Sequence, residues 1–227
     1  MRKLRNSILI VLILSSLLTL GQTNKFEVGL EVGPSLTSLR GNDVLDKNND
    51  LSFGFSSVLT FQYNFPKLIS IRTNISFERK SSTSQVSATD QNGDQIGEIT
   101  YHSYFDYLTI PILGRLTFGK KINFFVNAGP YIGYLIKLTD IIEAYGEHPK
   151  REFDDTDYYK RTDLGITTGL GARFPIKNKL FLSIEIRNNF GLTNISSFTV
   201  VNDGAIKTNS TNLLFGIEYR FGTRIND

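Results

Sequence analysis

The chain has 227 residues, with 17 Phe and 10 Tyr but no cysteine or tryptophan, and Met1 is its only methionine. Three of its 25 basic residues (Arg2, Lys3 and Arg5) precede an apolar run, which leaves 22 basic against 22 acidic residues in the remainder. That balance argues against a nucleic-acid partner, and the missing cysteines exclude both a disulfide frame and a lipid-anchored cysteine.

Residues 1–21 read as an export signal. A basic start is followed by an apolar run over 7–20, and Thr19 and Gly21 supply small residues for cleavage before Gln22. The run is too short and wrongly flanked for a comfortable membrane helix, and no later segment holds the ~20 apolar residues that a spanning helix needs. Residues 22–227 are therefore expected to form one domain that crosses a membrane, if at all, with strands.

Alternation at period two runs through this domain. The first strand, over 26–33, sets Phe26, Val28, Leu30 and Val32 against Glu27, Gly29, Glu31 and Gly33, and a polar stretch over 40–50 is the first long loop. The second, over 51–63, carries Leu51, Phe53, Phe55, Leu59, Phe61 and Tyr63 on one face and ends in a tight turn at 64–67. The third starts at Leu68, with Ile69, Ile71, Ile75 and Phe77 opposite Arg72, Asn74, Ser76 and Glu78, and continues as a polar ribbon. Asn92-Gly93 is a two-residue hairpin signal, because both residues tolerate positive φ. The fourth strand returns through Tyr101, Tyr104 and Tyr107 to Leu116; its alternation stumbles at Asp106, where a bulge is expected.

The fifth strand follows a short turn at 118–121 and places Ile122, Phe124, Val126, Ala128, Pro130, Ile132, Tyr134 and Ile136 on one face. Pro130 cannot donate to a ladder, so a bulge beside Gly129 is expected. A long acidic loop over 139–160 precedes the sixth strand, with Leu164, Ile166, Leu170, Ala172 and Phe174 outward and Asp163, Gly165, Gly169, Gly171 and Arg173 inward. After a turn at 175–179 the seventh alternates Leu180, Leu182, Ile184 and Ile186 with Ser183, Glu185 and Arg187. An extended hairpin over 195–210, tipped by Asn202-Asp203-Gly204, leads to the last strand, over 211–221. There Leu213, Phe215, Ile217, Tyr219 and Phe221 alternate with Leu214, Gly216, Glu218 and Arg220.

Eight strands, short turns alternating with long loops, an outward apolar face and aromatics near both ends describe an all-β, eight-stranded antiparallel up-and-down transmembrane β-barrel of the outer membrane. Tyr63, Phe65, Phe118, Phe174 and Phe221 are expected at the inner girdle, and Tyr101, Tyr104, Tyr134, Tyr158 and Tyr159 at the outer one. The segments GLEVGPSL at 29–36, DYLTIPILGRL at 106–116, GPYIGYLIK at 129–137, DLGITTGLGARF at 163–174, FGLTNIS at 190–196 and the closing LLFGIEYRF resemble the PorT-like outer-membrane β-barrel family of Bacteroidetes. The resemblance spans the mature chain and implies the barrel fold without catalytic residues. One member of that family acts in protein secretion and gliding machinery, so secretion or gliding components are candidate partners. Outer-membrane lipid, lipopolysaccharide and the barrel-assembly machinery are the other partners such a barrel implies.

The inward faces collect Glu27, Glu31, Arg72, Glu78, Arg115, Arg173, Glu185, Arg187, Glu218 and Arg220. An eight-stranded barrel is just wide enough for side chains to fill it, and unpaired charges there would be costly. The expectation is an Arg–Glu network that plugs the lumen; the alternative is a narrow ion path lined by the same charges. No catalytic, cofactor-binding or metal residues are assigned. His102, followed by Ser103 and near Asp106, is the one conceivable nucleophile–base set, for a lipid-modifying enzyme. Glu143, Glu147, Glu152, Asp154, Asp155 and Asp157 could hold a divalent ion but match no calcium motif and read as a solvated loop. A soluble lipocalin-like barrel binding an apolar ligand is the competing fold, and it would turn the apolar faces inward.

Overall fold

A computed structural model describes residues 25–42, 51–66, 68–89, 95–146, 148–177, 179–200 and 204–221. The signal at 1–21, part of the first loop, the Asn92-Gly93 turn and the start of the 202–204 tip lie outside the described residues.

Nine strands form one antiparallel sheet: β1 (Phe26–Arg40), β2 (Ser52–Asn64), β3 (Ile69–Thr89), β4 (Gln95–Phe118), β5 (Asn123–Ile142), β6 (Arg151–Asp154), β7 (Thr162–Lys177), β8 (Leu180–Gly191) and β9 (Lys207–Phe221). Each barrel strand pairs with its sequence neighbours, β5 with β7, and β1 with β9, so that eight strands close on themselves. Closure leaves no free edge within the membrane, where an unpaired backbone group has no water to turn to. β6 is the ninth and lies outside the ring. It pairs only with the far end of β5, from Thr139↔Asp154 to Ile142↔Arg151. The expected loop over 139–160 is thus partly ordered, because β5 runs on past the barrel rim and offers β6 a template.

The apolar alternants point outward, as a bilayer requires. Leu30, Phe53, Ile71, Ile112, Ile132, Leu170, Ile186 and Ile217 are all exposed, while the inward rows are buried. From Phe26 to Leu36 the outward row of β1 runs about 33 Å along the strand, or about 25 Å along the axis at a tilt of ~40°. That is the height of an outer-membrane apolar band. The lipocalin alternative, with apolar faces inward, is excluded by this polarity. Among the described residues no helix is long and apolar enough to cross a membrane, and the crossing is made by strands.

Of the two expected bulges, the one at Asp106 is present and the one at Pro130 is not. The register does shift at Asp106/Tyr107, but the extra residue is on the partner strand: Asp106 faces Lys137 and Tyr107 faces Leu135, leaving Ile136 unmatched. Asp106 stays outward, held by both nitrogens of a fork from Arg79 (2.7 and 2.8 Å) directly across β3. Arg79, Asp106 and Lys137 thereby mark where the apolar band ends. At Pro130 there is no bulge. The register continues through Gly129↔Thr167 and Pro130↔Ile166, and the neighbouring backbone comes so close that a Cβ on Gly129 would collide with the Ile112 carbonyl. Gly33, before Pro34, is crowded in the same way by the Leu213 carbonyl.

The 195–210 segment is also not an extended hairpin. β8 ends at Gly191, β9 begins at Lys207, and Ile195 and Ile206 between them pack over the outer mouth. Ile195 is fully buried there with Leu39, Phe105, Tyr107, Leu135 and Leu138, and Tyr159 and Ile206 pack against the cluster. Apolar residues in this loop have no lipid to face, so they cap the barrel instead. Tyr159 leaves the outer girdle for the same reason and meets Phe105 edge-on at 5.2 Å.

Candidate functional site: the lumen and its outer cap

Every second residue of each strand enters the lumen, and the charged ones meet in two layers. The inner layer is centred on Arg72 of β3. Its guanidinium pairs with Glu31 of β1 and donates to Glu218 of β9 at 2.7 Å. Arg187 of β8 bridges Glu31 (2.9 Å) and Glu185 (2.7 Å). Arg115 of β4 lies 3.5 Å from Glu185 and 3.7 Å from Glu218, and its Nε donates to Asn127 at 2.8 Å. Arg173 of β7 sits 2.8 Å from both Glu27 and Glu218, off the hydrogen-bonding angle, and acts there as an ion-pair partner. Arg220, at the inner rim, closes the layer by donating to Glu27 at 2.6 Å.

Two aromatic plates support the guanidinium groups. Arg115 stacks 3.7 Å above the Phe125 ring and Arg173 4.2 Å above Phe181. A guanidinium over an aromatic face keeps its in-plane donors free for carboxylates while its own faces are desolvated.

Glu78 belongs to an outer layer. It accepts from Ser210 (2.5 Å), Asn212 (3.1 Å) and Asn189 (3.2 Å), and Lys80 lies 3.9 Å away. Lys80 reaches on to Asp163 (3.3 Å) and donates to Thr208 (2.9 Å), while Tyr131 donates to Asp163 at 3.1 Å. All ten residues expected inside the barrel are therefore in the lumen, nine of them in the inner layer and Glu78 in the outer one.

Lys80 and Asp163 add one charge of each sign to the ten; Asp163 was expected inward but not as part of the network, and Lys80 was not expected there. Lys80 stands two residues beyond Glu78, on the same face, and Asp163 heads the inward row of β7. Alternation alone could have added both. Phe125 and Phe181 escaped because an inward aromatic in a polar lumen makes sense only once an arginine is known to lie on it.

Packing is tight enough to exclude solvent. Arg115 is 0% exposed, and Arg72 and Arg173 are 1% exposed. A water-filled path at their level would wet these side chains.

Above the charge layers sits the apolar cap. The short 3-10 turn Thr156–Tyr158 is fastened to β5 by the Leu138 amide, which donates to the Thr156 hydroxyl at 2.9 Å. The Lys160 amide donates to the Ile195 carbonyl (2.7 Å), and the Ile195 amide to Ile206 (2.8 Å). Asp140 of β5 lies beside Asp155, which precedes this turn. Burial first, and then Asp155, push Asp140 up to about 6, although the Ser103 hydroxyl beside it pulls the other way. The Tyr159 phenol is pushed up to about 12, mainly by burial.

The chain belongs to the outer membrane protein beta-barrel domain family, whose match covers residues 20–197. Solved structures similar to it include Neisserial surface protein A (12% identity, 86% of this chain and 97% of that one, TM-score 0.47). A major outer membrane protein from Thermus thermophilus is similar at 10% identity over 86% of this chain and 99% of that one, TM-score 0.48. The attachment invasion locus protein Ail of Yersinia pestis is similar at 10% identity over 87% and 99%, TM-score 0.43. No curated protein matches the sequence.

The other expected groups do not assemble a reactive centre. The His102 ring meets the Thr83 hydroxyl (3.1 Å) and lies 3.9 Å from Glu143. Ser103 stands across the β4–β5 ladder from Asp140, and Asp106 is held by Arg79. In the acidic segment Lys150 pairs with Glu143 at 2.9 Å and Arg161 with Asp157 at 3.0 Å. Glu147 lies outside the described residues. Among the described residues no group of three or more His, Asp or Glu is placed to hold a metal ion. The protein is an integral outer-membrane β-barrel.

Proposed function

We propose that this barrel is a sealed membrane platform, an interaction component of the envelope or of a protein-secretion assembly. The observation that carries this reading is the dry charge network: with Arg72, Arg115 and Arg173 out of contact with solvent, the lumen offers no route for solutes. Function then falls to the surfaces outside the bilayer. One such surface is the sheet beyond the outer rim, where the outer halves of β3 and β4 run on as a ladder from Arg79↔Asp106 to Thr89↔Gln95 and β5 recruits β6. Such rigid, rim-mounted strands suit partner recognition better than isolated loops do. The resemblance to PorT-like barrels supports secretion or gliding components as partners, and lipopolysaccharide is the lipid that this outer face would meet. Export through cleavage of residues 1–21 belongs to the same reading.

A tagged pull-down from outer membranes in mild detergent tests the proposal, with a boiled-versus-unboiled gel to report folding. Co-purification of secretion or gliding components, lost on deleting 81–104, supports it. A folded monomer that brings down no partner and conducts ions in planar bilayers overturns it. Unchanged lipid profiles in a His102→Ala strain are expected throughout.

A further inference from the structure

The two barrel rims carry different charge. Around the inner turns the described charged residues outside the lumen are Lys25, Lys120, Lys121, Lys177 and Lys179, all basic, while Arg220 is neutralised by Glu27. The outer end mixes both signs, with Asp140, Glu143, Glu152, Asp154, Asp155 and Asp157 among Lys150, Arg151, Lys160 and Arg161. On the inner rim, Lys177, Lys179, Leu180 and Tyr219 line a hollow beside the outward-facing Leu180–Tyr219 pair. A second, almost wholly apolar hollow starts at the same Tyr219 and rises along the β9–β1 seam between Ile217, Leu182, Leu30, Val32 and Phe215. Cross-strand pairing makes the two continuous: Leu180 faces Tyr219, Leu182 faces Ile217, and Ile217 faces Leu30.

We propose that this composite groove is a binding site for one anionic phospholipid of the inner leaflet. The headgroup phosphate would sit between the ammonium groups of Lys177 and Lys179, and the acyl chain along the apolar seam above Tyr219. Two cations over an apolar channel match a phosphodiester joined to a hydrocarbon chain, and the phenol lies at the interfacial depth that tyrosine favours. Lys120 and Lys121 share the rim charge but line neither of these two hollows, which makes them the control for diffuse charge. A lipid here would also brace β9 against β1, the one contact that joins the two ends of the sheet.

Native mass spectrometry of the full barrel, released from mixed micelles of phosphatidylglycerol and phosphatidylcholine, tests this. The native protein should retain phosphatidylglycerol over phosphatidylcholine on the order of tenfold. Lys177→Gln with Lys179→Gln should abolish the preference, Lys177→Arg with Lys179→Arg should keep it, and Lys120→Gln with Lys121→Gln should leave it unchanged. Equal retention of the two lipids overturns the proposal. So does an equal loss in both Gln pairs, which would mean diffuse rim charge, or no loss in the first pair.

Discussion

Arg72 on β3 and Glu218 on β9 meet at 2.7 Å across the lumen. The same guanidinium also holds Glu31 of β1, so one side chain ties the first, third and last strands of the barrel. Neither carboxylate has solvent to fall back on if that arginine is removed, because both are buried. Arg72→Ala leaves Glu31 to Arg187 alone and Glu218 to Arg173 and Arg115, one buried cation short, and is expected to cost up to about 3–5 kcal/mol. Replacing both members with neutral residues of similar size, as in Arg72→Met with Glu218→Gln, should recover part of that loss. Urea-unfolding midpoints in detergent, followed by gel mobility, measure both; a single variant as stable as the native protein would mean that the pairing contributes nothing.

Depth sets the cost of an outward charge. Ile112 lies midway along the exposed row of β4, whereas Ile122 borders the short turn after β4. Arginine at the midplane of a barrel's lipid face costs ~2–4 kcal/mol and near the interface ~0–1. Ile112→Arg should therefore impair membrane assembly while Ile122→Arg assembles normally. Equal tolerance at the two positions, read as folded protein recovered from outer membranes, would contradict the placement of the apolar band.

Within the bilayer the fold was legible because a lipid outside and a charged lumen inside force every strand to alternate. Outside it that logic lapses. The 195–210 segment reads as a second ribbon, yet the apolar side chains of Ile195 and Ile206 draw it inward as a cap. β6 was invisible because its four residues, Arg-Glu-Phe-Asp, are all exposed and alternate no polarity; only the overhang of β5 selects them. Pro130 signalled a bulge from its missing donor, but the small neighbour Gly129 permits a close approach of backbones instead, which depends on the facing strand. The ten lumen charges could be read from alternation, but who pairs with whom could not, since that is fixed by barrel closure and stagger.

The outer cap should loosen as pH rises. Asp140, with an ordinary value of 3.8, is pushed up to about 6 in the folded protein by burial and by Asp155. A carboxyl with a raised folded pKa adds stability fully present below its unfolded value and lost as pH rises through the folded one. The groups facing it are Asp155 and Tyr159 from the cap and Ser103 from β4. Amide exchange at Leu138 and Asp155, corrected for intrinsic rates, should therefore be slowest near pH 4 and reach a faster plateau above about pH 6. Asp140→Asn, which keeps a neutral partner at every pH, should remove the change; an unaltered pH profile in that variant would place its origin elsewhere.

Cap and charge network lie in series along the axis, which makes their contributions to sealing separable. Ile195 is the fully buried centre of the cap, so Ile195→Asp should displace the 192–206 segment, because an unpaired carboxylate cannot stay in that cluster. Behind it the buried arginines still block the lumen, and the single variant should not conduct. Arg115→Ala with Glu185→Ala removes a neutral pair from the inner layer and leaves Phe125 without its stacked cation, yet the cap remains above it. Only the triple variant should pass ions in a planar bilayer at a level clearly above the native protein. Conductance in Ile195→Asp alone would show that the charge layer leaks, and would return the lumen to the reading of a narrow ion path.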